Sequence, residues 1–235
     1  MTSLLRSKLG AESEFRHIAD QICAIADKYQ VKIRGYHSSE LPHFRALPQA
    51  RQETVLLRLK AFLGSMEVTE SMGERLDSQK RALWCGLSAL GLVPPSELFS
   101  RIDDNSEIIE IYNLEGFQVW RNFNYFDVCS YTLEEIYSID WNDLYLRSDE
   151  KTEECRQKIT ALLTGQTPDL FDANVENHEI TELCSQYRFV VEARHGILCR
   201  LKDKGGQLAA WVVVSKGRVL RKVEFHQPPH LEILR

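Results

Sequence analysis

The sequence predicts an α+β chain in which a helical N-terminal region precedes antiparallel strands flanked by short helices. Three observations carry this. Apolar residues recur at three- and four-residue spacing through the first hundred positions. The period changes to strand-like alternation near residue 105, and glycine-bounded strand signals return after residue 186. The expected divisions are a helical region over 1–104, an α+β unit over 105–225 and a tail over 226–235.

Phe15, Ile18, Ala19, Ile22, Cys23, Ala26 and Tyr29 form one helical stripe, and Val55, Leu56, Leu59, Phe62 and Leu63 form a second. A third helix is expected after Asp77 as N-cap, carrying Leu83, Trp84, Leu87 and Leu90 and closing at Gly91. Pro94 and Pro95 stop it, and Ser96 caps a short helix through Ile102. Two strands at 108–112 and 117–121 flank the turn Asn113–Gly116. Helical signals occupy 123–164 and end at Gly165. The polar stretch 166–184 reads as a loop. Strands are then expected at 187–192, 197–201, 208–214 and 219–225, with Gly196, Gly205-Gly206 and Gly217 at hairpin positions. Hairpins with helices on one face make an α+β unit.

Within this order, residues 107–215 resemble the PAS sensory domains. Asn122 stands at the end of the second strand, and Ser130-Tyr131-Thr132-Leu133-Glu134-Glu135-Ile136 follows at the spacing of the family's Gly-Tyr-Ser and Glu-Glu-Leu steps. Ser130 replaces the usual glycine, and the His-Pro that normally precedes the long helix is absent from Asp140–Glu150. Residues 150–163 stand where that helix belongs, while Gly196 and Gly206 resemble the glycines between the final strands. The resemblance implies a curved antiparallel sheet whose interior is packed or holds one ligand. Its candidate lining is Phe117, Val119, Phe126, Tyr131, Trp141, Leu144, Trp211 and Val213. It further implies a dimer acting on a protein partner in signalling.

Composition agrees with a soluble globular chain: 235 residues, 43% hydrophobic, 27% charged, net charge −5. That balance argues against coating nucleic acid by charge alone. Residues 101–160 carry 14 acidic and 6 basic side chains, and 200–235 carry 3 acidic and 8 basic, a swing read as two solvated faces. The longest apolar run, Ala209–Val214, falls far short of a membrane span of roughly 20 residues. The start Met1-Thr2-Ser3-Leu4 lacks a secretory apolar stretch, so the expected location is the cytoplasm. The six cysteines are scattered without a Cys-x-x-Cys pair and are expected to be reduced and mostly buried.

Catalytic motifs are absent: no Gly-x-Ser-x-Gly, no phosphate-cradling loop and no His-Glu-x-x-His occurs. The flanks of Cys155 do not match the photoactive flavin motif, and no histidine lies between 44 and 177 to ligate a haem from the long helix. No cofactor is expected. His37 with His43, and His226 with His230, read as loop or tail residues rather than metal ligands. Arg45, Arg51, Arg58 and Lys60 could make a basic face, and Lys216–Lys222 a basic strand, but no helix-turn-helix accompanies them. The expected role is a non-enzymatic sensory or regulatory protein with a largely apolar pocket. Two alternatives stand beside it. An enzyme or ligand carrier on an NTF-like cone would bring several buried ionisable groups around one cavity, whereas a transcription-linked regulator would bind DNA in a salt-dependent way.

Overall fold

The computed structural model describes residues 2–103, 106–183 and 187–224. The helical region comprises α1 (Thr2–Lys28), α2 (Pro42–Ala46), α3 (Gln49–Ser71) and α4 (Gln79–Ala89), then a two-residue β1 (Leu92–Val93) and a 3-10 turn, Ser96–Arg101. The predicted stripe of α3, Val55 to Leu63, is buried, and so is that of α1 except for the half-buried Cys23 and Tyr29. Two expectations for α4 are corrected. Ser78 occupies its N-cap, while Asp77 is drawn away by Arg75 at 2.9 Å. Trp84 points outward and is 45% exposed. Gly91 does close the helix, at φ +68°, a conformation that costs a glycine little.

The hairpin β2 (Ile108–Asn113) to β3 (Gln118–Arg121) turns at Gly116, φ +81°, with Asn113 Oδ1 accepting from the amides of Glu115 and Phe117. Short helices α5 (Asn124–Asp127), α6 (Leu133–Ser138) and α7 (Trp141–Leu144) follow, then β4 (Tyr145–Leu146) and the long α8 (Asp149–Leu163). Thr132 and Glu135 close a reciprocal capping box on α6. The chain ends in three long strands: β5 (Leu170–Glu182), β6 (Tyr187–Asp203) and β7 (Leu208–Glu224).

These strands correct two expectations. Residues 170–182 form a strand, not a loop. Asp172, Asn174, Glu176 and Asn177 lie on exposed positions and give it a polar look, while Ala173 and Val175 are buried and β6 supplies the pairing. The glycines also differ in role: Gly206, φ +82°, turns a hairpin, but Gly196 and Gly217 lie inside continuous strands. One antiparallel sheet results, in the order β3-β2-β7-β6-β5-β4, with β1 on β6. It is curved, so the architecture is the α+β arrangement that the sequence predicts.

The two faces of the sheet have different covers. Ile109, Ile111, Val212, Val214, Ile197 and Cys199 face outward into a core shared with α1, α3 and α4. Trp120 stands on the same face and packs against Gly86 of α4. On the inner face Tyr112, Trp211, Val213 and Leu198 meet Leu162 and Ile159 of α8.

Candidate functional site

Between the inner face of the sheet and helices α5–α8 lies a cavity of about 670 Å3, in the range of small-molecule sites. Sheet register builds its floor in cross-strand rows. One row runs Ile108, Ser215, His195, Val175 and the next Glu110, Val213, Leu198. Tyr112 lies opposite Trp211, their rings stacked with centroids 4.5 Å apart. Two bulges set these rows. At Gly196 the β6–β7 register shifts, so that His195 and Leu198 both face inward although alternation would place them on opposite faces. At Val119 the β2–β3 register shifts, so Gln118 and Arg121 take the inner face.

Helices supply the roof through Val128, Cys129, Ile136, Ile139 and Leu144, and α8 a wall through Cys155 and Ile159. Three hydroxyl and thiol groups cluster there, with Tyr125 and Tyr145 oxygens 2.9 Å apart and Cys129 Sγ 3.7 Å from Tyr145. Burial pushes the Cys129 thiol up to about 12, so it is a packed thiol rather than a nucleophile.

The structure distributes the eight predicted residues unevenly. Phe117, Trp141, Leu144, Trp211 and Val213 line the cavity. The other three do not. Val119 is the bulge residue of β3, Phe126 packs on Phe62 in the core, and the Tyr131 hydroxyl bridges the Leu144 carbonyl and the Leu183 amide.

Sequence reasoning missed the polar lining, and the wall is less apolar than expected. The Glu110 carboxyl accepts from Tyr112 Oη at 2.8 Å and from Gln118, with Arg121 directly across the strand pair. Burial raises its pKa; Arg121 and Arg147 pull the other way. His195 is driven down to about 3 by burial and then by the charge of Arg147, which keeps the imidazole neutral. His178 stands beside it, ring centroids 5.5 Å apart. The acid and the imidazole do not converge, because β7 lies between their strands and separates them by about 10 Å. Among the described residues no set of three His, Cys, Asp or Glu side chains is placed to hold a metal ion. His226 and His230 lie outside the described residues.

The PAS-type motif residues have definite tasks. Asn122, 1% exposed, accepts from the Ile109 amide at 3.0 Å and donates to the Glu107 carbonyl and to Gln79 of α4. It therefore pins the end of β3 to β2 and to the helical region. The long helix lies where the resemblance expects it and β7 stands beside β2 in the middle of the sheet, whereas β5 occupies the expected loop and Gly196 lies within β6. The strand order resembles that of the PAS domains. No family model and no curated protein matches the chain. A solved PAS domain from Colwellia psychrerythraea is similar at 16% identity and TM-score 0.33, over 49% of this chain and 88% of that one. An RNA-binding light-oxygen-voltage receptor is similar at 13% identity and TM-score 0.29; the match spans 91% of this chain and 61% of the receptor.

The roof of the cavity is tied to the N-terminal region. Glu134, at the start of α6, accepts from the amides of His43 and Phe44 at 2.8 and 3.2 Å. Backbone bonds run from Leu133 to Arg34 and from Glu134 to Gly35. Burial raises the Glu134 carboxyl to about 7, opposed by those two amides. Between pH 4.5 and 7 the native state keeps a proton that the unfolded chain releases, so this group lowers stability as pH rises through that window. Glu134→Gln keeps an acceptor for both amides and removes the titration. Relative to the parent, its unfolding free energy is expected to rise by about 2 kcal/mol, discounted for solvent screening, between pH 4.5 and pH 7. Urea titrations of both proteins across that range check this, and parallel curves would contradict it.

The basic surface is also accounted for. Arg45, Arg51 and Lys60 pair with Glu12, Asp140 and Glu14, and Arg58 is buried, donating to the Tyr137 carbonyl at 3.0 Å. On β7, Arg218 and Arg221 face Glu192 and Glu179. Cys23, Cys85, Cys129, Cys155 and Cys199 are free thiols. Among the described residues no helix is long and apolar enough to cross a membrane.

Proposed function

We propose that this protein is a non-enzymatic PAS-like sensory or regulatory module: a small molecule occupies the inner cavity, and the N-terminal helices pass its presence to a protein partner. The observation that carries this is the continuity between cavity and helices. Ile136 of α6 lines the cavity, while its neighbours Leu133, Glu134 and Tyr137 bind residues 34, 35, 43, 44 and Arg58 of the N-terminal region. A ligand that shifts α6 acts on that region through hydrogen bonds already in place, provided it binds two arrangements unequally. No covalent flavin and no haem enter this proposal. Homodimerisation through the helical region belongs to it.

Native mass spectrometry of the purified full chain tests the proposal, with hydrogen exchange over residues 31–44. A dimer carrying a small molecule is expected. Val213→Trp, which fills the cavity floor, should lose that molecule and change exchange over 31–44. An empty chain, or exchange identical in both proteins, would overturn the reading.

The presence of Glu110 and His195 in one cavity favours a second reading, an NTF-like enzyme or carrier. Recovery of the co-purified molecule unchanged after incubation supports the sensor. Its conversion, lost in Glu110→Gln, supports an enzyme.

A further inference from the structure

The polar atoms of the cavity that lack partners are nearly all of one kind. Arg58 Nε, Arg147 Nε and Trp211 Nε1 are buried without an acceptor, and each can only donate. His195 Nδ1, likewise buried and unpartnered, can take either role. Among the described residues Arg147 makes no hydrogen bond and no ion pair; its guanidinium stands over Trp141, 4.6 Å from the ring centroid. Glu110, a lining acid within electrostatic reach of it, is already held by Tyr112 and Gln118. Lys158, by contrast, is neutralised by Glu154 at 2.8 Å. Arg147 is half-buried with its Nε enclosed and unpartnered, and a planar guanidinium fits a carboxylate with two parallel hydrogen bonds. Among these donors the lining is aliphatic: Ile136, Ile139, Val191 and Val213.

We infer that the cavity ligand is an amphipathic organic carboxylate, its apolar body on the aliphatic surface and its carboxylate on Arg147. This rests on the proposal that the cavity takes a small molecule. It adds the ligand's charge, its polarity and the residue that reads them. Trp141 shares the task by holding the guanidinium in a cation–π contact.

Titration calorimetry of the full chain with dodecanoate and with dodecanol tests the inference. Dodecanoate is expected to bind about ten- to a hundredfold more tightly, the worth of a charge-assisted hydrogen-bonded pair. Arg147→Gln should bring the two probes to parity by weakening the carboxylate alone, while Arg218→Gln, on exposed β7, should change neither. Val213→Trp should abolish both, with circular dichroism confirming that every variant folds. Equal affinities in the parent, or a preference that survives Arg147→Gln, would overturn the carboxylate assignment and leave the cavity reading standing. Binding of neither probe, or binding that survives Val213→Trp, would overturn both.

Discussion

Glu182→Ala is expected to cost about 3–5 kcal/mol of unfolding free energy, the largest single loss among carboxylate substitutions in this chain. Glu182 is fully buried at the end of β5 and accepts from the Ser130 amide at 2.7 Å, the Ser130 hydroxyl and the Phe189 amide at 2.8 Å. One carboxylate thus joins the loop between α5 and α6 to the start of β6. An orphaned buried donor costs about 1–3 kcal/mol, and alanine would orphan three, with part of the cost relieved as the loop relaxes. Glu182→Gln keeps one acceptor oxygen and turns an amide toward the other donors, so its loss should be roughly half as large. Equilibrium urea denaturation of the three proteins measures this. If Glu182→Ala unfolds at the parent's midpoint, the site does not hold the loop. Because Cys129 and Val128, on the near side of that loop, line the cavity, the same variant should also weaken ligand retention.

What could be read from residues alone divides by the range of the interaction. The stripes of α1 and α3 were readable because a helix repeats within a few residues and declares its buried face in its own sequence. The hairpin at Asn113–Gly116 was readable for the same reason. Strand β5 was not, since its partner β6 is distant in sequence and its exposed residues outnumber its buried ones. The cavity followed the same division. Trp211, Val213 and Leu144 are large apolar residues on predicted elements, and they line the cavity. His195 escaped because Gly196 looks like a hairpin residue, and only the bulge turns its neighbour inward. Val119 was misplaced by the second bulge, which gives its inner position to Gln118. Arg147 carries no local signal; its interest lies in acceptors missing from three separate elements.

Gly86→Ala is expected to destabilise the chain although alanine is the better helix former. Gly86 sits in the interior of α4, and a Cβ there would lie 2.7 Å from Nε1 and 2.8 Å from Cε2 of Trp120, whose ring is buried against the outer face. The ring cannot withdraw into a packed core, so α4 must move off the sheet. Overpacking of this kind costs about 1–3 kcal/mol, more than the roughly 1 kcal/mol of helix propensity that alanine returns. Trp120→Ala should itself cost about 3–5 kcal/mol through the cavity it leaves. The decisive result lies in the double variant. With the ring gone, Gly86→Ala is relieved of these contacts, keeps its helix advantage and is expected to stabilise the Trp120→Ala background by about 0.5–1 kcal/mol. A substitution whose sign reverses with its neighbour identifies the contact that requires glycine. If Gly86→Ala has the same effect in both backgrounds, the close approach of α4 to β3 is not what the glycine serves, and the helices are free to dock on the outer face by other contacts.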